Sequence, residues 1–399
     1  SGLSGGALLC EALLRRGFLA FQDPDGVWLG SGSHPDDLIV LEMVVGIRVT
    51  RVTGRADRVA RVVFSVIKAE QLRIVECILS IPQNGGLMGR LLAVALARQG
   101  AQVELFDKGH SNASGATARI AAAMLAPLAE SAITEDSVVR MGIHSLPRWK
   151  ELISQLSTPV FFQQDGTLIL WHRQDTSDAE RFTAHLERNC RNNSLLQLPQ
   201  KLNNEAVRDL EPGVADRFTQ GLFLPNEGQL DNRQLLDALL IELNNLKVHC
   251  HWNTEANPDE LRKDHAYQAV IDCRGTGAKD GWNNTLRGVR GEVIRLYAPE
   301  VKLKRPTRLI HPRYPIYIAP KENDVYVVGA TEIESDDLSE MSVRSAMELL
   351  SAVYTVHSGF AEARILEMAT QCRPTLKNNL PEIKTRKDKG LSDLIMING

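Results

Sequence analysis

An α/β fold with two interleaved textures is predicted by three observations. A strand–helix–strand unit runs from Leu72 to Asp107, antiparallel-type strands begin near residue 160, and helical segments recur among those strands. The chain has 399 residues, enough for two or three domains at roughly 150 residues each. With 43% hydrophobic and 24% charged residues it can bury a sizeable core, which excludes a mostly disordered chain. The net charge of −3 gives no bulk attraction for nucleic acid or membrane surfaces. No apolar run approaches the ~20 residues that span a bilayer, because Glu42 breaks Leu38–Val45 and Arg119 breaks Ala116–Pro127. A soluble protein without stable membrane insertion is expected.

The elements follow in chain order. Leu72–Ile81 has β-type composition. Apolar residues at 87, 88, 91, 92, 95 and 96 make one stripe of a helix over Leu87–Arg98, which Gly100 ends. Gln102–Phe106 alternates as a strand and stops at Asp107. Val160–Gln164 and Thr167–His172 flank Asp165-Gly166, the pattern of a β-hairpin. A helix is expected from Ser177, with Glu180 completing a capping box, and another over Leu230–Asn244. Val289–Leu296, Ile316–Ala319, Val325–Gly329 and Arg364–Thr370 read as strands, and Val343–Val356 as a helix. The run Ile395-Met396-Ile397 before Asn398-Gly399 is strand-like and needs a neighbour, so the C-terminus reads as cut. Residues 1–70 resist assignment. Arg48, Arg51, Arg55, Arg58 and Arg61 would form a basic helical stripe, but the Val and Thr around them disfavour a long helix.

Cysteine and histidine usage argues against a metal centre. The six cysteines, at 10, 77, 190, 250, 273 and 372, include no CxxC pair and fit reduced thiols of a cytoplasmic protein. His249 and His251 flank Cys250 on a strand-like segment with no third ligand nearby, and read as surface histidines.

The segment that carries chemistry is Asn84-Gly85-Gly86-Leu87-Met88-Gly89, which opens the Leu87 helix. Glycines there let a backbone approach a dinucleotide's diphosphate, and the helix N-terminus offers N–H groups and positive dipole. Asp107 lies 21 residues after Gly86, where an acidic side chain accepts hydrogen bonds from ribose hydroxyls. Asn84 stands at the first glycine position and Pro82 just before it. Either Cys77–Ile81 supplies the preceding strand, or Glu76–Asn84 is foreign to the motif.

These residues, with Val103–Lys108 and Ala113–Pro127, resemble the flavin-binding start of the D-amino-acid-oxidase-like superfamily. Gly221–Arg233, Arg290–Ile294, Tyr317–Pro320, Val328–Thr331 and Cys372–Thr375 are similar to its glycine oxidase branch, associated with thiamine biosynthesis. The likeness spans roughly residues 85 to 399. It implies a Rossmann-like FAD-binding domain interleaved with an antiparallel-sheet substrate domain. The expected division is 1–70 as a leader; 71–158, 230–288 and 373–399 as three parts of the FAD-binding domain; and 159–229 with 289–372 as the substrate domain. FAD would be held by Gly85, Gly86, Gly89, Asp107, Lys108, Ser114, Ala122, Ala123, Met124, Gly275 and Gly277. Small residues in the Ser114–Met124 loop would permit close approach of backbone to cofactor.

The resemblance assigns Arg373 and Tyr317 to the substrate carboxylate, a guanidinium being suited to bidentate grip of that group. No side chain is expected to act as a catalytic acid or base, because hydride passes directly to flavin once the amine is neutral and the Cα–H is positioned. A second arginine and a glycine-rich flavin contact belong just beyond Asn398-Gly399. The expected reaction is oxidation of glycine, small N-alkyl glycines or D-amino acids, with O2 as acceptor, giving H2O2 and an imine for thiazole synthesis. The alternatives are a dehydrogenase with a non-oxygen acceptor and a non-catalytic flavoprotein relic. A homo-oligomer is compatible with the sequence.

Overall fold

The computed structural model describes residues 86–264, 266–311 and 315–399, together with the backbone of Phe21–Gln22, Trp28–Leu29 and Val75–Ser80. The Arg48–Arg61 stripe, Pro82, Asn84 and Gly85 lie outside the described residues.

The first layer is a six-stranded sheet in the order 249–252, 102–107, 75–80, 269–272, 393–398, 382–386. The first five strands run parallel and Glu382–Arg386 closes the edge antiparallel. Strand Val75–Ser80 pairs along its whole length with Gln102–Asp107, so Cys77–Ser80 does belong to the strand entering the turn. The Ile395–Ile397 run likewise has the neighbours it needs, Ala269–Asp272 on one side and Glu382–Arg386 on the other. Helix Leu87–Arg98 connects the two strands of the unit. It buries Leu91, Leu92, Ala93 and Val94 against Leu235, Ala238 and Leu239 of helix Asn232–Asn245, and Gly100 at φ +91° ends it.

The second layer is a nine-stranded, mainly antiparallel sheet. It runs from Ile333–Glu334 through 287–297, 325–329, 316–320, 307–309, 167–170 and 220–224 to 200–203, with Arg364–Thr375 also paired to Arg287–Tyr297. Helix Val343–Val356 packs Leu349, Val353 and Val356 on one face of it, with Ile294, Ile316, Ile318 and Val328. A three-stranded sheet, 124–125, 228–230 and 162–163, joins the layers. The chain passes between the two large sheets repeatedly, which is the interleaving that the sequence predicts.

Four local expectations need correction. The Asp165-Gly166 turn does not close a hairpin: Phe162–Gln163 pairs with Gly228–Leu230, whereas Thr167–Leu170 pairs with Gln220–Leu224 and Thr307–Leu309. Gly166, at φ +80° and tight against Phe223, turns the chain from one sheet to the other. The helix expected from Ser177 starts at Thr176 and has no side-chain cap, so the Ser177/Glu180 capping box is not formed. The Arg364 strand runs on to Thr375 and carries Arg373 within it. At Asn232–Asn245 the cap is Asp231, which accepts the Arg233 and Gln234 N–H groups, so Leu230 falls in the preceding strand.

Candidate functional site

All five parallel strands end on one edge, and register places Ser80 beside Asp107, Leu79 beside Asp272, and Asp272 beside Met396. That edge is where open α/β sheets bind ligands. Helix Leu87–Arg98 starts there with Gly86 as N-cap, no side-chain cap and no acidic residue in its first turn. The N-terminal dipole of such a helix favours an anion. Gly89 is buried one turn in.

Asp107 is fully buried at the end of its strand, and its Oδ1 accepts the Gly109 N–H at 2.8 Å. Beneath it lies Arg90, also fully buried, which donates to Leu236 O at 3.0 Å and Ser111 O at 2.6 Å and covers the Trp252 ring. Burial lowers the Arg90 pKa and Asp107 raises it, so each charge supports the other. Lys108 points to the surface, where it meets Glu255 at 3.3 Å. Just after strand Ala269–Asp272, Gly275 takes φ +55°, and its carbonyl accepts the Asn398 side-chain amide at 2.9 Å. Gly277 follows in the turn, its N–H bonded to Arg274 O.

The 113–124 segment crosses between the two sheets and is fastened at several points. Gln371 donates to Gly115 O, Thr117 to Cys372 O, Lys321 to Ala122 O, and the Leu230 N–H to Ala123 O. Ala113 and Ala123 both hold positive φ, +54° and +51°, a conformation alanine adopts only under constraint. Ser114 is exposed and its N–H is taken by Asn112. Ala122 and Met124 pack with Val293, Ala319, Val327, Ala330 and Tyr317 on the face of the large sheet. Lys321 is buried and ties this junction together through Ala122 O, Gln229 Oε1 and Leu230 O at 2.8–3.0 Å. Desolvation lowers its pKa to about 7.

Register explains how Tyr317 and Arg373 come together from distant parts of the chain. Tyr317 pairs with Gly329, Gly329 with Val293, and Val289 with Arg373, so their side-chain positions share one face. Two missing side chains make the room. A Cβ at Gly291 would stand 3.1 Å from Arg373 Nη2, and one at Gly329 would stand 3.0 Å from the Tyr317 hydroxyl. Both buried atoms, Arg373 Nη1 and Tyr317 Oη, lack an aligned hydrogen-bond partner. Burial raises the Tyr317 pKa against the lowering effect of the Arg373 and Arg308 guanidiniums. Arg373 also borders a cavity of about 410 Å³, lined by Val289, Thr375, Gly399 and Ser131–Asp136.

Sequence reasoning missed a second group of charges on this face. Arg308 is the register partner of Tyr317 and is paired with Glu130, while the fully buried Glu227 accepts the Ala129 N–H at 2.7 Å. Only the Pro-Asn-Glu-Gly context of Glu227 gave a signal, and nothing in the neighbourhood of Arg308 or Glu130 set them apart from surface charges. The motifs Arg290-Gly291-Glu292 and Val328-Gly329-Ala330-Thr331 have a structural basis too. Glu292 binds Arg290 and the Thr331 hydroxyl, at 2.8 and 2.9 Å, which fixes the two glycines beneath Arg373 and Tyr317.

Comparison with known proteins agrees with this geometry. The family model described as FAD dependent oxidoreductase (DAO) matches residues 85–399. The chain is 36% identical over 301 residues to the putative thiamine biosynthesis oxidoreductase ThiO of Rhizobium etli, covering 75% of this chain and 85% of the relative. Among solved structures it is similar to glycine oxidase from Geobacillus kaustophilus, with a TM-score of 0.66, 19% identity, and coverage of 81% and 88% of the two chains. Glycine oxidase from Bacillus cereus gives a TM-score of 0.66 at 17% identity, covering 81% and 90%. The uncapped helix end, the small-residue crossing and the glycine turn at 275 fit an extended dinucleotide, and the chain belongs to the FAD dependent oxidoreductase (DAO) family.

Proposed function

We propose that this chain oxidises the Cα–N bond of glycine, or of a small N-alkyl glycine or D-amino acid, to the imine. The observation that carries the reading is the buried, adjacent pair Arg373 and Tyr317, whose Nη1 and Oη lack an aligned partner, beside the Ala122–Met124 crossing. A carboxylate satisfies both donors, and its fixed position would orient the adjacent Cα. Gly86, Gly89, Asp107, the 113–124 segment, Gly275 and Gly277 would hold FAD, with Gly85 and Lys108 assigned to the same role from the sequence. When bound, FAD supplies a two-electron sink that accepts the Cα hydride and is re-oxidised by O2, giving hydrogen peroxide.

The work of the protein is positional. Arg373 and Tyr317 would fix the carboxylate and the apolar patch of Val293, Ala319 and Ala330 would exclude water, so the amine has to enter as the free base, its proton left in bulk solvent. Similarity to a ThiO protein supports delivery of the imine to thiazole assembly. Among the described residues no helix is long and apolar enough to cross a membrane. The described cysteines are free, and we read the site of action as cytoplasmic.

The test is direct. The FAD-loaded protein, mixed with glycine, N-methylglycine or D-alanine without oxygen, should lose its flavin colour, and should form one peroxide per imine when air is admitted. Bleaching without peroxide, with turnover only when a dye is supplied, would favour a dehydrogenase. No bleaching by any of the three would contradict the reading.

A further inference from the structure

The charges around Tyr317 bear on substrate choice. Arg308 and Tyr317 are register partners, so Arg308 continues the line Arg373–Tyr317 along the same sheet face. Its side chain is 8% exposed, Nη2 donates to Glu130 Oε1, and Nε has no partner. Glu130 Oε2 is buried and unpartnered as well. Glu130, Arg308, Tyr317 and Arg373 all lie within electrostatic reach of one another. Glu227 faces Arg308 from the opposite side, and burial holds its carboxyl at about 7 although Arg308 and the neighbouring Thr167 act to lower it. The Thr167 hydroxyl and Glu227 Oε2 do not align as a hydrogen bond.

Counting charges gives a simple result. Glu130 cancels Arg308 through their ion pair, and Arg373, with no ion-paired carboxylate among the described residues, leaves one positive charge. One substrate carboxylate cancels it. A second carboxylate would enter a dry site whose remaining cation is already taken by an anion, and uncompensated buried charge is strongly unfavourable.

We propose that Glu130, by occupying Arg308, is a specificity-determining residue that restricts the site to amines bearing a single carboxylate. This rests on Arg373 and Tyr317 being the carboxylate holders. An arginine freed from Glu130 would instead offer a second bidentate anchor next to the first, which is how an attractive pair doubles as a barrier against the wrong ligand.

The experiment uses the FAD-loaded enzyme and two amine-free isosteres as competitive inhibitors. Methoxyacetate stands in for N-methylglycine, and diglycolate for N-(carboxymethyl)glycine. In the unaltered enzyme, methoxyacetate should bind at least about tenfold more tightly than diglycolate. Glu130→Gln should narrow that gap by about tenfold or more, and Arg308→Met in the same chain should restore it. Flavin content and thermal midpoint show whether each variant is folded. Equal or tighter diglycolate binding by the unaltered enzyme overturns the inference whether or not the variants fold, as does an unchanged gap in a folded Glu130→Gln. Methoxyacetate that fails to inhibit, or binds Arg373→Ala as well as the unaltered enzyme, overturns the carboxylate assignment and the inference with it. Retained methoxyacetate binding without discrimination overturns the inference alone.

Discussion

The two halves of the site are built on opposite principles. The crevice at the end of the parallel strands is made mostly from backbone: a helix end without a side-chain cap, positive φ at Ala113, Ala123 and Gly275, and buried carboxylates at Asp107 and Asp272. The face of the large sheet is made from buried side-chain charge, with Arg308, Arg373, Glu130 and Glu227 gathered around Tyr317. A backbone site grips any ligand with the right phosphate geometry and tolerates side-chain change. A charged face discriminates, and it should fail sharply when one member is removed.

The largest effect should come from the charged face. Arg373→Ala should raise the glycine KM by roughly 30- to 1,000-fold, on the order of 2–4 kcal/mol for a lost charge-assisted contact, with flavin content unchanged. Steady-state kinetics beside the visible spectrum check both parts. An unaltered KM removes Arg373 from the site.

The same face should carry a pH signature. Glu227 is held at about 7 against an ordinary 4.5, so the folded state binds its proton more tightly than the unfolded chain does. The resulting stabilisation is fully present below pH 4.5 and lost as pH rises through 7. Glu227→Gln should therefore gain on the unaltered protein by up to about 3 kcal/mol between pH 4.5 and 8. Denaturant unfolding at both pH values reads this, and a difference that does not change with pH contradicts it.

In the crevice the losses should be smaller and fall on cofactor alone. Asp107→Ala should weaken FAD affinity by about 1–3 kcal/mol, while the reloaded enzyme keeps its glycine KM. The smallest effect sharpens the boundary between the regions. Gly329→Ala places a Cβ 3.0 Å from the Tyr317 hydroxyl and should raise KM by a few fold, about 1 kcal/mol, without loss of flavin. Flavin loss in that variant would mean that the two regions are one cooperative unit.

The same contrast explains what the sequence made legible. The nucleotide unit was readable because its signals are local: an apolar stripe over 87–96, glycines at the helix start and an acid at the strand end, all within one strand–helix–strand. The charged face was not readable by such means. Arg308, Tyr317, Gly329, Gly291 and Arg373 meet through sheet register across more than eighty residues, and each alone has the composition of an ordinary strand position. Family likeness pointed to Tyr317 and Arg373 but not to Arg308 or Glu130. The hairpin at Asp165-Gly166 was misread because its turn chemistry is real while its strands belong to different sheets. Local signals specify the turn, and only the tertiary fold specifies the partners.

The start of helix Leu87–Arg98 and the Asp107 strand are expected to hold FAD. The most direct measurement is a titration of the purified, flavin-free protein with FAD, followed by the visible spectrum after gel filtration. A yellow protein with one FAD per chain is expected, its binding weakened by Asp107→Ala. A protein that remains colourless after exposure to excess FAD would contradict this.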